Sequence, residues 1–225
     1  QAPLYSATSV HSLGVDVLSL GSNKLYGPHG IGCVYMSDRA HLAPPTAGLA
    51  PVILGGAQEA HMRAGTENVA LAAGFAAAFE IVAGERESES KRLRELRGSL
   101  ADELLEKIPG LIVNGSTSLT AGGALKHVLP HMLNVSYQLP ATSYRTAEYV
   151  TLALDHAGIA VSTKSACQEG EKASHVIAAL GGEEWQAKNT LRFSLGRETT
   201  AGDLKRALKV LVRIVGTSKT IKATP

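Results

Sequence analysis

The sequence predicts a layered α/β or α+β protein in which short strands alternate with helices. Three observations carry this. Apolar or alternating segments recur after residue 110, as "LIVNG", "MLNVSY", "GIAVS" and "TLRFSLG", each short enough for a strand. Helical patterns over 146–156, 174–180 and 200–215 stand among them. The composition, 225 residues of which 44% are hydrophobic and 19% charged, suits a globular chain with a real core.

The elements follow in order. "VDVLSL" (15–20) reads as a strand that ends at Gly21, and "GIGCVYM" (30–36) as a second strand. Between them lies a turn holding one cation, Lys24, among small and polar residues. Residues 37–65 are rich in glycine, proline and alanine and read as irregular loop. An alanine-dense helix is expected over 68–82, followed by Gly84 and the charged run "ERESESKR". Leu93, Leu96, Leu100, Leu104 and Ile108 then recur at helical spacing until Pro109-Gly110 stops them. This second helix is polar on its other face and bridges two halves. In the last helix, Thr200 and Asp203 form a capping-box-like start, and Leu204, Leu208, Leu211 and Val215 share one face. The tail "SKTIKATP" is expected to fray.

Charge excludes some functions. With 22 basic and 20 acidic residues the net charge is +2, which gives no electrostatic reason to bind nucleic acid or anionic lipid. Two cysteines, Cys33 and Cys167, make no disulfide framework and fit a reducing, cytoplasmic setting. No apolar run reaches a membrane span, so no membrane partner is expected. The start "QAPLYSATSV" lacks the features of a signal peptide. It also lacks methionine, which points to a fragment or a processed product.

Five positions could carry chemistry. Lys24 could serve as a nucleophile if desolvated, with Ser22 and Asn23 beside it as donors for a phosphate; an ordinary surface lysine is the alternative. Thr66, in "RAGTEN", either caps the alanine-rich helix or binds an anion at its start. Cys167, in "STKSACQEGEKAS", lies in a polar loop where a cysteine is unusual, three residues after a lysine that could favour its thiolate. Cys33, in "GCVYM", reads as core. Arg192 interrupts an apolar strand, either to hold a carboxylate bidentately or because that face is exposed. His127 and His131 are four apart, but Pro130 between them spoils a helical metal pair, and no zinc site is expected.

The order of these segments is more specific than any one of them. "VDVLSLGSNKLYGPHGIGCVY", "LGGAQEAHMRAGTEN", "LNVSY", "VSTKSAC" and "NTLRFSLGRETT" together resemble the cysteine desulfurase family, in the class V aminotransferase group of fold-type-I pyridoxal-phosphate enzymes. The resemblance implies the C-terminal part of such an enzyme. Residues 1–84 would complete a large cofactor-binding domain whose N-terminal part is absent. Residues 85–110 would form a connecting helix, and 111–225 a small α/β domain. It implies that Lys24 bonds covalently to pyridoxal 5'-phosphate and moves substrate protons. Gln1 would bind the cofactor ring oxygen, and Thr66 the cofactor phosphate of a partner subunit in a homodimer. Arg192 would grip the substrate carboxylate. Cys167 would take sulfur from L-cysteine as a persulfide and pass it to an acceptor such as an iron–sulfur scaffold.

Two departures accompany the resemblance. Asn23 stands where the family commonly has histidine, so cofactor affinity is expected to be weaker. Lys164, in "TKSAC" where the family often has "SGSAC", is expected to depress the Cys167 pKa. The long polar cysteine loop resembles the branch serving iron–sulfur assembly and tRNA thiolation. Selenocysteine lyase and other class V aminotransferases share much of this pattern. An inactive fragment or an interaction module for a sulfur acceptor is the reading of a different class.

Overall fold

The computed structural model describes residues 1–41, 50–115, 128–138, 146–163 and 173–215. They form two compact units, residues 1–89 and 90–225. The boundary falls inside one long helix.

The first unit begins with a 3-10 turn, Ala2–Leu4, and a short helix α1, Val10–Leu13. Strands β1, Val17–Gly21, and β2, Gly32–Met36, follow as expected and pair antiparallel from Val17 opposite Met36 to Gly21 opposite Gly32. A Cβ at position 32 would lie 2.7 Å from the Leu20 carbonyl oxygen, so only glycine admits this approach. Within the stretch expected to be irregular, residues 38–41 instead form helix α2, Asp38–His41. Its root is held where Ser37 Oγ donates to Asp16 Oδ1 at 3.1 Å. Residues 59–61 form a 3-10 turn with three consecutive positive φ angles.

Helix α3 is the largest difference from expectation. It runs unbroken from Val69–Lys107 through Gly84, where two helices were expected. Glycine costs a helix about 1 kcal/mol, and the strong formers on both sides outweigh that. In the first unit its inward residues Phe75 and Val82 pack with Leu4 and Leu25, and Tyr5, Leu20, Ile31 and Phe79 join them. Arg86 Nε also donates to the Pro3 carbonyl at 2.7 Å, which fixes the start of the chain against this helix.

The second unit holds a three-stranded antiparallel sheet in the order β3, Ile112–Val113; β4, Met132–Ser136; β5, Thr190–Ser194. Helix α4, Ala147–His156, helix α5, His175–Ala178, helix α6, Glu184–Lys188, and helix α7, Ala201–Val215, complete it. One sheet face is apolar: Val113, Leu133, Val135, Leu191 and Phe193 are 5% exposed or less. So are Leu93, Leu100 and Leu104 of α3, Val150 and Leu154 of α4, and Leu208 and Leu211 of α7. The cap of α7 forms as its sequence predicts, with Thr200 N donating to Asp203 Oδ2 at 2.9 Å and Asp203 N to Thr200 Oγ1 at 3.2 Å.

Two expectations fail in this unit. "GIAVS" forms no strand; it contributes one bridge, Ser162 opposite Arg192. Helix α6 went unforeseen, since "EEWQAK" is short and charged. Its capping box, in which Glu183 N donates to Gln186 Oε1 at 2.6 Å, explains why it forms.

Candidate functional site

The turn after β1 is built around one alternation of exposure. Residues Ser22–Leu25 form a 3-10 turn in which Ser22 and Leu25 are buried while Asn23 and Lys24 face outward. Leu25, 1% exposed, anchors the turn in the apolar cluster beneath it. Its burial turns the neighbouring lysine toward solvent at the end of a strand.

The exit from the turn is equally defined. Tyr26 takes a left-handed conformation, φ 60°, which costs a non-glycine residue about 1–2 kcal/mol. The strain is held because Tyr26 N and Gly27 N both close onto the Ser22 carbonyl, the latter at 3.1 Å. Tyr26 also hydrogen-bonds the Tyr5 phenol, whose pKa is raised chiefly by burial and then by Tyr26. A Cβ at Gly27 would collide with the Ser22 hydroxyl, so glycine is needed there.

Gln1 lies within reach of this turn. It precedes the 3-10 turn Ala2–Leu4, whose Leu4 packs in the same apolar cluster as Leu25. The structure therefore brings Gln1, Ser22, Asn23 and Lys24 into one neighbourhood. Thr66 belongs to the same unit and is exposed, but it does not cap α3. That role falls to Asn68, whose Oδ1 accepts from Leu71 N at 3.1 Å. The expectation of a threonine cap fails because the helix begins later than "RAGTEN" suggested.

Cys33 is also corrected. Among the described residues it is exposed, because none of them covers that face of the β1–β2 ribbon. It lines a cavity of about 670 Å³ together with Val34, Met36, Val52, Ile53 and Met62. Partial burial raises its thiol pKa, the direction opposite to activation.

Arg192 is half-buried in β5, opposite Asn134 of β4. Its backbone is held from the other side as well: Ser162 N donates to the Arg192 carbonyl at 3.1 Å, and Arg192 N to the Ser162 carbonyl at 2.6 Å. Its Nε is buried, and nothing among the described residues accepts a hydrogen bond from it. No carboxylate is paired with it among those residues. Cys167, Lys164 and His127 lie outside the described residues.

The turn fits a phosphate-bearing aldehyde. Its outward side offers the primary amine of Lys24 and the amide of Asn23, while the Ser22 hydroxyl, 0% exposed and an orphan among the described residues, faces Gly27 on the inner side. Sequence reasoning found these residues but missed Tyr5, Tyr26 and Asn134. The signal for Asn134 was present, as a polar residue at every second position of "LNVS".

Comparison with known proteins gives the family and the fold. The sequence model described as aminotransferase class-V matches residues 1–207. A cysteine desulfurase IscS of Dictyoglomus turgidum is 37% identical over 95% of this chain and 49% of its own length. A cysteine desulfurase IscS 1 of Archaeoglobus fulgidus is 38% identical over 92% of this chain and 49% of its own. A solved NifS-like protein superposes with a TM-score of 0.75 at 28% identity, over 96% of this chain and 50% of that one. The chain thus spans about half the length of the curated relatives it matches.

Proposed function

Because the chain belongs to the class-V aminotransferase family, we propose that it is the lysine- and cysteine-bearing part of a pyridoxal-phosphate-dependent cysteine desulfurase. Such an enzyme converts L-cysteine to L-alanine and leaves one sulfur on an enzyme thiol. The observation that carries the reading is the turn at Ser22–Leu25, where a buried leucine presents the Lys24 amine outward at the end of a strand.

Gln1, Ser22, Asn23 and Lys24 would hold the cofactor, with Thr66 serving the partner subunit of a homodimer. When bound, the cofactor supplies an electron sink. The Nζ of Lys24 takes the proton from the substrate α-carbon and returns a proton as alanine forms. The Arg192 guanidinium fixes the carboxylate in a bidentate pair. The Cys167 thiolate attacks the substrate sulfur, so the C–S bond breaks as an S–S bond forms, and the enzyme is left as Cys167–S–SH. Lys164 favours that thiolate through its charge. The persulfide then goes to a sulfur acceptor such as an iron–sulfur scaffold, in the cytoplasm. In this reading residues 1–84 belong to the large domain, 85–110 connect, and 111–225 form the small domain.

The test is chemical and uses the full-length protein. Borohydride reduction after loading with pyridoxal phosphate should place the pyridoxyl group on Lys24, and incubation with L-cysteine should place sulfane sulfur on Cys167. Lys24→Ala should take no label and release alanine at least about 1000-fold more slowly. A label on another lysine, or sulfane sulfur on Cys33, would overturn the proposal.

A further inference from the structure

The sheet face opposite the apolar one carries a straight polar row. Asn114, Asn134, Arg192 and Ser162 stand side by side: Asn114 N donates to the Asn134 carbonyl at 2.9 Å, Asn134 is in register with Arg192, and Ser162 bridges Arg192. Directly opposed residues of antiparallel strands share a face, with Cβ atoms about 5 Å apart. All four are half-buried.

Hydrogen-bond accounting fixes what each member can offer. Asn134 Oδ1 accepts from Asn114 Nδ2 at 2.6 Å and from Thr190 Oγ1 at 2.8 Å. Two donors fill the lone pairs of an amide oxygen, so toward anything else Asn134 presents only its NH₂. The second hydrogen of Asn114 Nδ2 is also committed, to Ser136 Oγ at 2.7 Å, and Ser136 Oγ donates to the Gln186 carbonyl at 2.8 Å. Ser136 and Thr190 are at most 1% exposed, so this network is walled in.

Beside the locked amide stands Arg192, which has donors and no acceptor. Its Nε is buried and finds no acceptor among the described residues. The two neighbours could satisfy each other only if the Asn134 amide turned its oxygen to Arg192, which would break both bonds that lock it. The network therefore maintains two adjacent donor-only groups, an arrangement that costs free energy until an acceptor arrives. The matching acceptor is planar, anionic and has two oxygens.

We propose that Asn134 is a second carboxylate-recognising residue, donating from Nδ2 to a remaining lone pair of one oxygen of the substrate α-carboxylate that Arg192 holds bidentately. This rests on the reading of Arg192 given under the proposed function. Asn114 and Thr190 act through Asn134 as positioning residues.

The test measures binding of L-alanine to the full-length protein loaded with pyridoxal phosphate, by calorimetry, with ethylamine as the same molecule without a carboxylate. Asn134→Ala should weaken L-alanine about tenfold or more, the order of one hydrogen bond to a charged group, and leave ethylamine unchanged. Asn134→Asp keeps both bonds to Oδ1 and hence the fold, but sets a carboxylate beside Arg192; it should weaken L-alanine further. A purely structural role would weaken both ligands equally and lower the unfolding midpoint, which would overturn the proposal. Arg192→Ala is the separating control. If it loses L-alanine while both Asn134 variants bind normally, the Asn134 proposal fails and the Arg192 reading stands. If Arg192→Ala also binds normally, the reading of Arg192 fails and the proposal with it.

Discussion

The two units divide stability and chemistry unequally. In the second, a sheet face and three helices bury a dozen apolar side chains almost completely. In the first, four buried residues, Leu4, Leu25, Phe75 and Val82, form the cluster under the lysine turn. Its two-stranded ribbon leaves Val17 39% and Val34 59% exposed, and Val52 is 95% exposed across the neighbouring cavity. A lone two-stranded ribbon is marginal in water. Among the described residues, the turn around Lys24 rests on few contacts, chiefly Leu25 and the Ser22–Gly27 closure, whereas the row containing Arg192 sits on a well-packed support.

The largest expected effect tests that contrast directly. Leu133→Ala, at a site 0% exposed, should lower unfolding free energy by about 3 kcal/mol in urea titration. Val34→Ala should cost less than about 0.5 kcal/mol, as an exposed position does. An equal loss at Val34 in the full-length protein would show that the open ribbon face is covered there, and the contrast would then belong to this chain alone.

The second effect is a pH dependence confined to the packed unit. His131 is 2% exposed, and burial pushes its pKa down from 6.5 to about 4. The unfolded imidazole takes up its proton first, so the stabilisation is complete above pH 6.5 and is lost as pH falls from there through about 4. The full loss is on the order of 3 kcal/mol, from about 1.4 kcal/mol per unit. Denaturant midpoints measured from pH 7 to 4 should fall, and His131→Leu should flatten the part of the slope that this residue supplies. An unchanged slope in the variant would remove His131 as its source.

Legibility in the sequence follows the same division. Strands β1, β2, β4 and β5 and the cap of α7 were readable because period-two patterning and Thr200-to-Asp203 spacing are local signals. Lys24 was readable as a lone cation in a small-residue turn. What escaped needed tertiary information. Cys33 looks like core in "GCVYM" because pattern cannot say whether both faces of a strand are covered. Arg97 reads as the polar side of its helix, yet it is 2% exposed and its Nε donates to the Met132 carbonyl at 2.7 Å. Asn134 is a generic polar strand residue until Asn114 and Thr190, distant in sequence, fix its amide.

The smallest effect concerns the helix that spans both units, and it asks whether the missed continuity through Gly84 is accidental. Gly84 and Gly98 both lie inside α3, and a Cβ added at either meets nothing within 4 Å. Neither has the positive φ that would make glycine necessary. Alanine at each should therefore stabilise by about 0.5–1 kcal/mol, since it removes backbone entropy from the unfolded chain. The two sites serve as mutual controls, because they share one helix and differ in which unit surrounds them. Equal gains would mean that Gly84 is a tolerated interruption, outweighed by the helix formers around it. A gain at Gly98 with a loss at Gly84 would mean that the helix around Gly84 does not accommodate a Cβ, and that glycine is required there.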